Sequence, residues 1–222
     1  MALVAIGACS HPAAPTPAPV SIDVLTYLLG DASLWPRHGS HNQEQVVDVA
    51  GREVCWVKYG NPRRFECWRW DEEYVYHAVD HALDGDSNES YRFTDGRWLP
   101  RHLPAAATAD APWTLDVSQN QIVWYDAACQ LDPSRSYLFP YRIRAWIAPR
   151  LDAGPDLGAR DTLQFDYEPY DPASLTPGAR ERYALGLGAG WYQWDRSGFF
   201  DYFNRVGGQA TPMNASVRCT GP

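Results

Sequence analysis

Short stretches in which apolar and polar residues alternate dominate the chain after residue 44. Such alternation is typical of half-buried β-strands, whose successive side chains point to opposite faces of a sheet. Turn-forming residues, mainly Gly, Asn and Asp, separate these stretches at short intervals. The predicted strands cover residues 45–49, 53–59, 65–70, 74–80, 91–93, 98–99, 113–117, 121–126, 141–147, 162–167, 182–186, 191–194 and 200–205.

One segment has helical spacing instead. Ser21 is a capping-type residue, apolar residues follow it at helical intervals, and Gly30 ends the pattern, which predicts one short N-terminal helix. The successive hairpins predict an antiparallel all-β meander, either closed into a barrel or folded into a two-sheet β-sandwich. We expect a single domain over residues 21–222, with long loops over 84–90, 148–161 and 168–178.

The N-terminus has a different composition from the rest of the chain. Apolar and small residues precede Cys9, and a Pro/Ala-rich stretch follows it. Ile6, Gly7, Ala8 and Cys9 resemble the lipobox of a bacterial lipoprotein signal peptide. The resemblance implies lipidation at Cys9 and a tether up to residue 20, although the basic residues that begin a secretory signal are absent before Arg37.

Cysteine usage fits an exported protein. With Cys9 set aside, four cysteines are left, which suggests two disulfides with three alternative pairings. Cys55 and Cys67 lie across a predicted hairpin, so they are the expected first pair, and Cys129 with Cys219 would be the second. No C-x-x-C spacing supports a zinc site.

Composition narrows the classes of ligand. The formal net charge is -8, so the protein surface as a whole does not attract the phosphates of nucleic acid. We therefore predict no nucleic-acid partner. Ten Trp and 13 Tyr are an unusual supply of side chains that combine an apolar ring with a polar group.

The densest aromatic stretch is 65–81, and a three-residue turn at 71–73 would pair its two strands so that one face carries aromatic rings and carboxylates. That face would comprise Glu66, Trp68, Trp70, Tyr74, Tyr76 and Asp80. Such a platform suits sugars, whose C–H faces lie against rings, while Arg69 and His41 would contribute polar contacts. The alternative is that the rings fill a β core.

Glycoside hydrolysis needs two carboxylates, and Glu66 and Glu168 both lie beside aromatic strand residues. Asp71, Asp80 and Asp166 are reserve candidates, and His77 is a further candidate acid or base. His77 and His81 would be about 13 Å apart in a strand, too far to bind one ion. We therefore predict no metal and no cofactor.

These observations together predict an exported, extracytoplasmic bacterial protein, lipid-anchored or secreted, that degrades polysaccharide as a glycoside hydrolase. Its partner would be a polysaccharide or oligosaccharide, and its contact with a membrane would be through the lipid anchor alone. The alternatives are a noncatalytic glycan-binding or cell-envelope lipoprotein and a uronate polysaccharide lyase that uses His41 with a Tyr and an Arg.

Overall fold

The computed structural model describes residues 20–29, 38–39, 48–57, 65–84, 87–126, 128–152, 158–196 and 199–204. These residues form antiparallel β-sheets and one short helix, as the alternating pattern predicts. Three residues with predicted roles, Cys9, His41 and Cys219, lie outside the described residues.

The N-terminal segment is a strand followed by a helix rather than one helix. Strand β1 (Ser21–Asp23) pairs with β9 (His102–Pro104), and helix α1 covers only Leu25–Leu28. The carboxylate of Asp23 accepts the backbone N–H of Leu25 at 2.9 Å and two hydrogen bonds from Arg101, at 2.9 and 2.7 Å. This contact between distant parts of the chain holds residues 21–23 extended.

One sheet, called here the first sheet, has eight strands. Its order is β12-β11-β7-β6-β5-β4-β3, and β8 pairs with β6 beside this path. The strands are β3 (Asp48–Ala50), β4 (Glu53–Val57), β5 (Phe65–Trp70), β6 (Tyr74–Asp84), β7 (Ser87–Phe93), β8 (Arg97–Pro100), β11 (Gln121–Tyr125) and β12 (Leu131–Leu138).

The second sheet has seven strands in the order β10-β13-β14-β15-β16-β17-β2. The strands are β2 (His38–Gly39), β10 (Trp113–Val117), β13 (Tyr141–Asp152), β14 (Ala159–Pro169), β15 (Glu181–Gly186), β16 (Gly190–Arg196) and β17 (Phe199–Asn204). Neighbours from β13 to β17 also follow one another along the chain, so this part is the predicted meander.

The two sheets pack face to face through an aromatic core. Trp68 of the first sheet lies 5.9 Å from Phe165 and 6.1 Å from Trp191 of the second, measured between ring centroids. Trp98 lies 5.2 Å from Tyr183 in the same way. The described strands therefore form the sandwich, and not the closed barrel, of the two predicted architectures.

Two of the predicted long loops are mostly strand. β6 runs to Asp84 and β7 begins at Ser87, while β13 runs to Asp152 and β14 begins at Ala159. A register shift between Ala148 and Leu151 accommodates Pro149, which has no N–H to donate to the sheet.

The β5–β6 hairpin has a different register from the predicted one. Trp70 pairs with Val75 and Trp68 with His77, so the predicted pairing with Tyr74 and Tyr76 is wrong by one residue. Asp71 sets the turn, because its Oδ1 accepts the backbone N–H groups of both Glu73 and Tyr74, at 2.7 and 2.8 Å. A shift of one residue moves side chains to the opposite face of a strand.

The first predicted disulfide is present. Cys55 and Cys67 are paired residues on β4 and β5, 4.0 Å apart between Cα atoms, and their sulfurs are bonded. Cys129 is also disulfide-bonded. With Phe65 and Val79, the Cys55–Cys67 bridge forms a small apolar cluster separate from the main core.

Candidate functional site

The predicted aromatic platform is divided between the two faces of the first sheet. Trp68 and Trp70 are buried in the core between the sheets. Tyr74, Tyr76 and Arg69 belong to the opposite face, where the Arg69 guanidinium lies 5.7 Å from the centroid of the Tyr76 ring. No single surface therefore carries the rings together, and the buried pair is not accessible to a sugar.

Asp71 has a structural role in the hairpin. The Tyr76 hydroxyl donates to its Oδ2 at 2.6 Å, while Oδ1 holds the turn. The bond from Tyr76, with the two backbone N–H groups, lowers the pKa of Asp71 below its usual value. Burial, followed by the bond to Asp71, raises the pKa of Tyr76 to about 12.

The predicted carboxylate pair is not assembled. Glu66 lies in the interior between the sheets, 2% exposed. Glu168 is on β14, where Arg144 donates to its Oε2 at 3.0 Å and the Tyr170 hydroxyl donates to the same atom at 3.2 Å. With Glu66 inside the sandwich and Glu168 bound to an arginine on the outer face of the other sheet, the two cannot flank one glycosidic bond.

Three polar residues of the first sheet instead meet inside the core. One side-chain oxygen or nitrogen atom from each of Glu66, His77 and Asp80 lies within 4.8 Å of the other two. His77 Nε2 is 3.1 Å from Glu66 Oε1. The Trp68 indole N–H donates to Glu66 Oε1 at 2.6 Å, and the Tyr91 hydroxyl donates to Asp80 Oδ2 at 3.0 Å. We call Glu66, His77 and Asp80 the interior polar cluster.

A β-bulge creates this cluster. Trp68 pairs with His77 whereas Cys67 pairs with Val79, so Ala78 is an extra residue in β6. In a regular strand, residues three apart point to opposite faces, and His77 and Asp80 would be separated. Because of the bulge, Asp80 pairs with Glu66 on the same face as His77.

Aromatic rings enclose the interior polar cluster. The Trp98 ring stacks on His77 with 4.7 Å between centroids, and Phe93 contacts the same imidazole edge-on, also at 4.7 Å. Burial, and next the charge of Asp80, raise the pKa of the Tyr91 hydroxyl well above its usual value, so it acts as a hydrogen-bond donor at neutral pH.

The outer face of the second sheet carries rows of alternating charge. Asp116, Arg142 and Glu168 pair across β10, β13 and β14, and Arg144, Asp166, Arg182 and Asp195 pair across β13 to β16. Arg182 binds Asp166 through two hydrogen bonds, at 2.6 and 3.0 Å, and Arg142 binds Asp116 at 2.7 Å. These cross-strand ion pairs hold the guanidinium groups in fixed positions.

Two adjoining pockets lie on this face and share Arg144. One has a volume of about 550 Å³ and is lined by Arg144, Arg180 and Arg182 together with Asp110 and Asp166. The other, of about 510 Å³, is lined by Arg142 and Arg144 together with Asp116 and Glu168. We call the two together the arginine groove. Arg180 lies 3.7 Å from Asp166, which Arg182 already binds, and its side chain is 52% exposed.

Rings support two of these arginines from below. The Arg182 guanidinium carbon lies 5.2 Å from the Trp146 ring centroid, and that of Arg142 lies 5.6 Å from the centroid of Tyr170. Guanidinium planes fixed over rings are suited to planar or phosphate-bearing ligands.

The arginine groove was missed in the sequence, although a signal was present. Arg142 and Arg144 alternate with apolar residues, as do Asp166 and Glu168. On adjacent strands this alternation places opposite charges side by side on the solvent face.

In the part of the chain that the structure describes, no helix has both the length and the apolar character needed to cross a membrane.

Comparison with known proteins gives one partial similarity. No family model and no solved structure matches the chain. The formamidopyrimidine-DNA glycosylase of Sodalis glossinidius (strain morsitans) is 30% identical over 88 residues, which are 39% of this chain and 32% of the glycosylase. The chain thus matches about a third of the length of this curated relative.

This similarity overturns the predicted carbohydrate-active function, the predicted polysaccharide or oligosaccharide partner and the exclusion of nucleic acid. These predictions are wrong because the similar protein is named for an action on DNA. The physical reasons are visible in the structure. Trp68 and Trp70, thought to stack on sugars, fill the core, and the net charge of -8 does not show that four arginines share one sheet face with carboxylates.

Proposed function

We propose that this protein binds a single strand of nucleic acid along the arginine groove. The observation that carries the proposal is the pair of adjoining pockets, which together present Arg142, Arg144, Arg180 and Arg182 on one sheet face. Guanidinium groups bind phosphate oxygens through paired N–H donors. The partial similarity to a DNA glycosylase supports the same class of ligand.

The shape of the site favours a single strand over a duplex. The sole helix among the described residues, α1, has four residues, too few to lie in a major groove. The groove instead lies on an open sheet face, lined by four arginines and four carboxylates, and open sheet faces are platforms on which proteins hold unpaired strands. Bases can stack on guanidinium planes, and those of Arg142 and Arg182 are held over rings.

Binding should be strongly dependent on salt, because the rest of the surface is acidic and only local contacts attract phosphate. The test is fluorescence anisotropy of a labelled 20-nucleotide strand of DNA or RNA against the full chain, at several salt concentrations, with duplex DNA in parallel. Arg144→Gln and Arg180→Gln should each weaken binding and each lower the salt slope by about 1.

Arg52→Gln is the matched control. Arg52 is an exposed arginine in an ion pair with Glu72 at the turn end of the first sheet, away from the groove. Its loss should leave affinity unchanged. Absence of binding at low salt, or equal affinity in the Arg144→Gln and Arg52→Gln variants, would refute the proposal.

We also propose that the protein works in an extracytoplasmic compartment. The Cys55–Cys67 bond and the disulfide at Cys129 support it, because such bonds persist in oxidising compartments. The test is cell fractionation with thiol alkylation before lysis. We expect the protein in the envelope or medium with these cysteines unmodified, whereas reduced protein in the cytoplasmic fraction would contradict the proposal. Lipidation at Cys9 stays a prediction.

A further inference from the structure

We propose that the interior polar cluster is a binding site for one divalent transition-metal ion, with Glu66, His77 and Asp80 as the protein ligands. This inference depends on the first sheet alone and is independent of the proposed function, which uses the outer face of the second sheet.

The first argument is geometric. Metal bonds of about 2.0–2.2 Å from imidazole nitrogen and carboxylate oxygen place the ligand atoms of one ion about 3–4 Å apart. The three residues have one potential ligand atom each within 4.8 Å of the others, and the His77 ring lies against Glu66, with 3.1 Å between Nε2 and Oε1. Small side-chain rotations complete such a site.

The second argument is electrostatic. Glu66 and Asp80 are directly paired across β5 and β6, and like charges in this position destabilise a sheet. Two carboxylates inside an aromatic core are costly as anions. A divalent cation between them would remove the repulsion and compensate both charges.

The third argument comes from the imidazole itself. The His77 side chain is 3% exposed, and its Nδ1 atom has no hydrogen-bond partner in the described structure. The hydrogen bonds of the described structure therefore leave Nδ1 unpartnered, whereas coordination of an ion through Nδ1 would occupy it. Coordination through Nδ1 would leave Nε2–H as a donor to Glu66, an arrangement common among metal-bound histidines.

The carboxylates also have the supporting contacts that metal ligands require. The Trp68 N–H fixes Glu66, and the Tyr91 hydroxyl fixes Asp80. Such contacts orient ligands and tune affinity. One imidazole with two carboxylates suits Zn²⁺ or Mn²⁺ and disfavours Mg²⁺, which keeps its water shell.

The other cluster of potential ligands differs. Glu53, Cys55 and Cys67 also lie close together, but both sulfurs are in a disulfide and offer no thiolate.

The test measures metal content directly. The full chain is dialysed against a chelator, incubated with Zn²⁺, Mn²⁺ or Mg²⁺ alone, and desalted. Inductively coupled plasma mass spectrometry then gives the number of metal ions per chain. We expect about one Zn²⁺ or Mn²⁺ per chain, no Mg²⁺, and a higher Tm after loading, because an ion that binds only the folded state stabilises it.

Asp80→Asn and His77→Gln should lose the bound ion, and Tyr91→Phe should weaken affinity by about 10–100-fold. The control is Glu181→Gln. Glu181 accepts hydrogen bonds from Tyr183 and Trp194 much as Glu66 accepts one from Trp68, but it is not among the three residues. Circular dichroism of each variant establishes whether it folds. If His77→Gln does not fold, the test depends on Asp80→Asn, which keeps the shape of the side chain.

Substoichiometric metal in the loaded wild-type chain would overturn the proposal. So would a folded Asp80→Asn variant that binds as much metal as the wild type, or equal loss of metal in Glu181→Gln.

Discussion

At the scale of single residues, aromatic side chains of one hairpin have different roles according to the face of the sheet on which they lie. Trp68 is fully buried and contacts rings from both sheets, whereas Tyr76, on the other face of the same hairpin, holds the turn through Asp71. Both were predicted to bind a sugar. Their identities indicate aromatic contact, but only the pairing of strands decides what each ring contacts.

The Tyr76–Asp71 bond makes a prediction about pH. Tyr76→Phe removes the bond that contributes most to the low pKa of Asp71, so that pKa should rise toward its ordinary value. A carboxyl whose pKa is lowered by folding stabilises the fold above its ordinary pKa, and this contribution is lost as pH falls through the lowered value. The variant should therefore be less stable than wild type near neutral pH and similar to it in acid.

The measurement is a titration of the Asp71 carboxyl by NMR, together with urea unfolding at neutral and acidic pH. Tyr74→Phe is the control, since Tyr74 contacts Asp71 through its backbone N–H. An unchanged Asp71 titration in Tyr76→Phe would contradict the expectation.

At the scale of elements, irregular positions decide what the strands bring together. The bulge at Ala78 places His77 and Asp80 on one face, and a second register shift, between Val75 and Tyr76, lies where β6 pairs with β8. Next to it, the backbone N–H of His77 donates to the Gly96 carbonyl at 2.7 Å. The turn before β8 thus supports the strand that carries the interior polar cluster.

Gly96 should be intolerant of a side chain. Its φ is +65°, and an added Cβ would lie 2.5 Å from the carbonyl oxygen of His77, which is rigid backbone. We expect Gly96→Ala to lower the free energy of unfolding by about 2–3 kcal/mol through strain and displacement of β6.

Gly51 provides a matched control for this effect. It has the same φ of +65°, but no atom lies within 4 Å of an added Cβ. Gly51→Ala should therefore cost only the backbone strain, about 1 kcal/mol. Urea unfolding of both variants measures the difference, and equal losses would show that the close approach to His77 has no energetic weight.

At the scale of the whole molecule, an aromatic core joins two sheets whose outer faces differ. The outer face of the second sheet is a lattice of arginines and carboxylates, while the first sheet bears an apolar cluster around Cys55–Cys67. The proposed nucleic-acid site and the proposed metal site therefore lie on different sheets. Each can be tested with the other intact.

The Cys55–Cys67 bond should contribute to stability mainly by restricting the unfolded chain. The two cysteines are 12 residues apart, and closing a loop of that size stabilises the folded state by about 3 kcal/mol. We expect Cys55→Ala/Cys67→Ala to lose about this amount in urea unfolding without reductant. Wild type in reductant should lose more, because the disulfide at Cys129 is then broken too. Equal stability of the variant and the oxidised wild type would contradict this expectation.

The sequence by itself determined the fold class and much of the strand order along the chain. Alternating apolar residues and turn formers are local signals, and the N–H and C=O groups of such strands can be satisfied only by neighbouring strands. The Cys55–Cys67 pair was also predictable, since a hairpin places its two strands side by side. Pro133 and its polar neighbours concealed β12, an edge strand, because edges tolerate residues that central strands do not.

Only the tertiary structure decided the sites. The turn at Asp71 and the bulge at Ala78 each shift register by one residue, and each shift reverses which face a side chain occupies. Packing of the second sheet against this face places Glu66 in the core beside His77 and Asp80, and Glu168 lies beside Arg144 on the outer face of that second sheet. Residue types and alternation are written along the chain, but which faces meet depends on contacts between strands far apart in sequence.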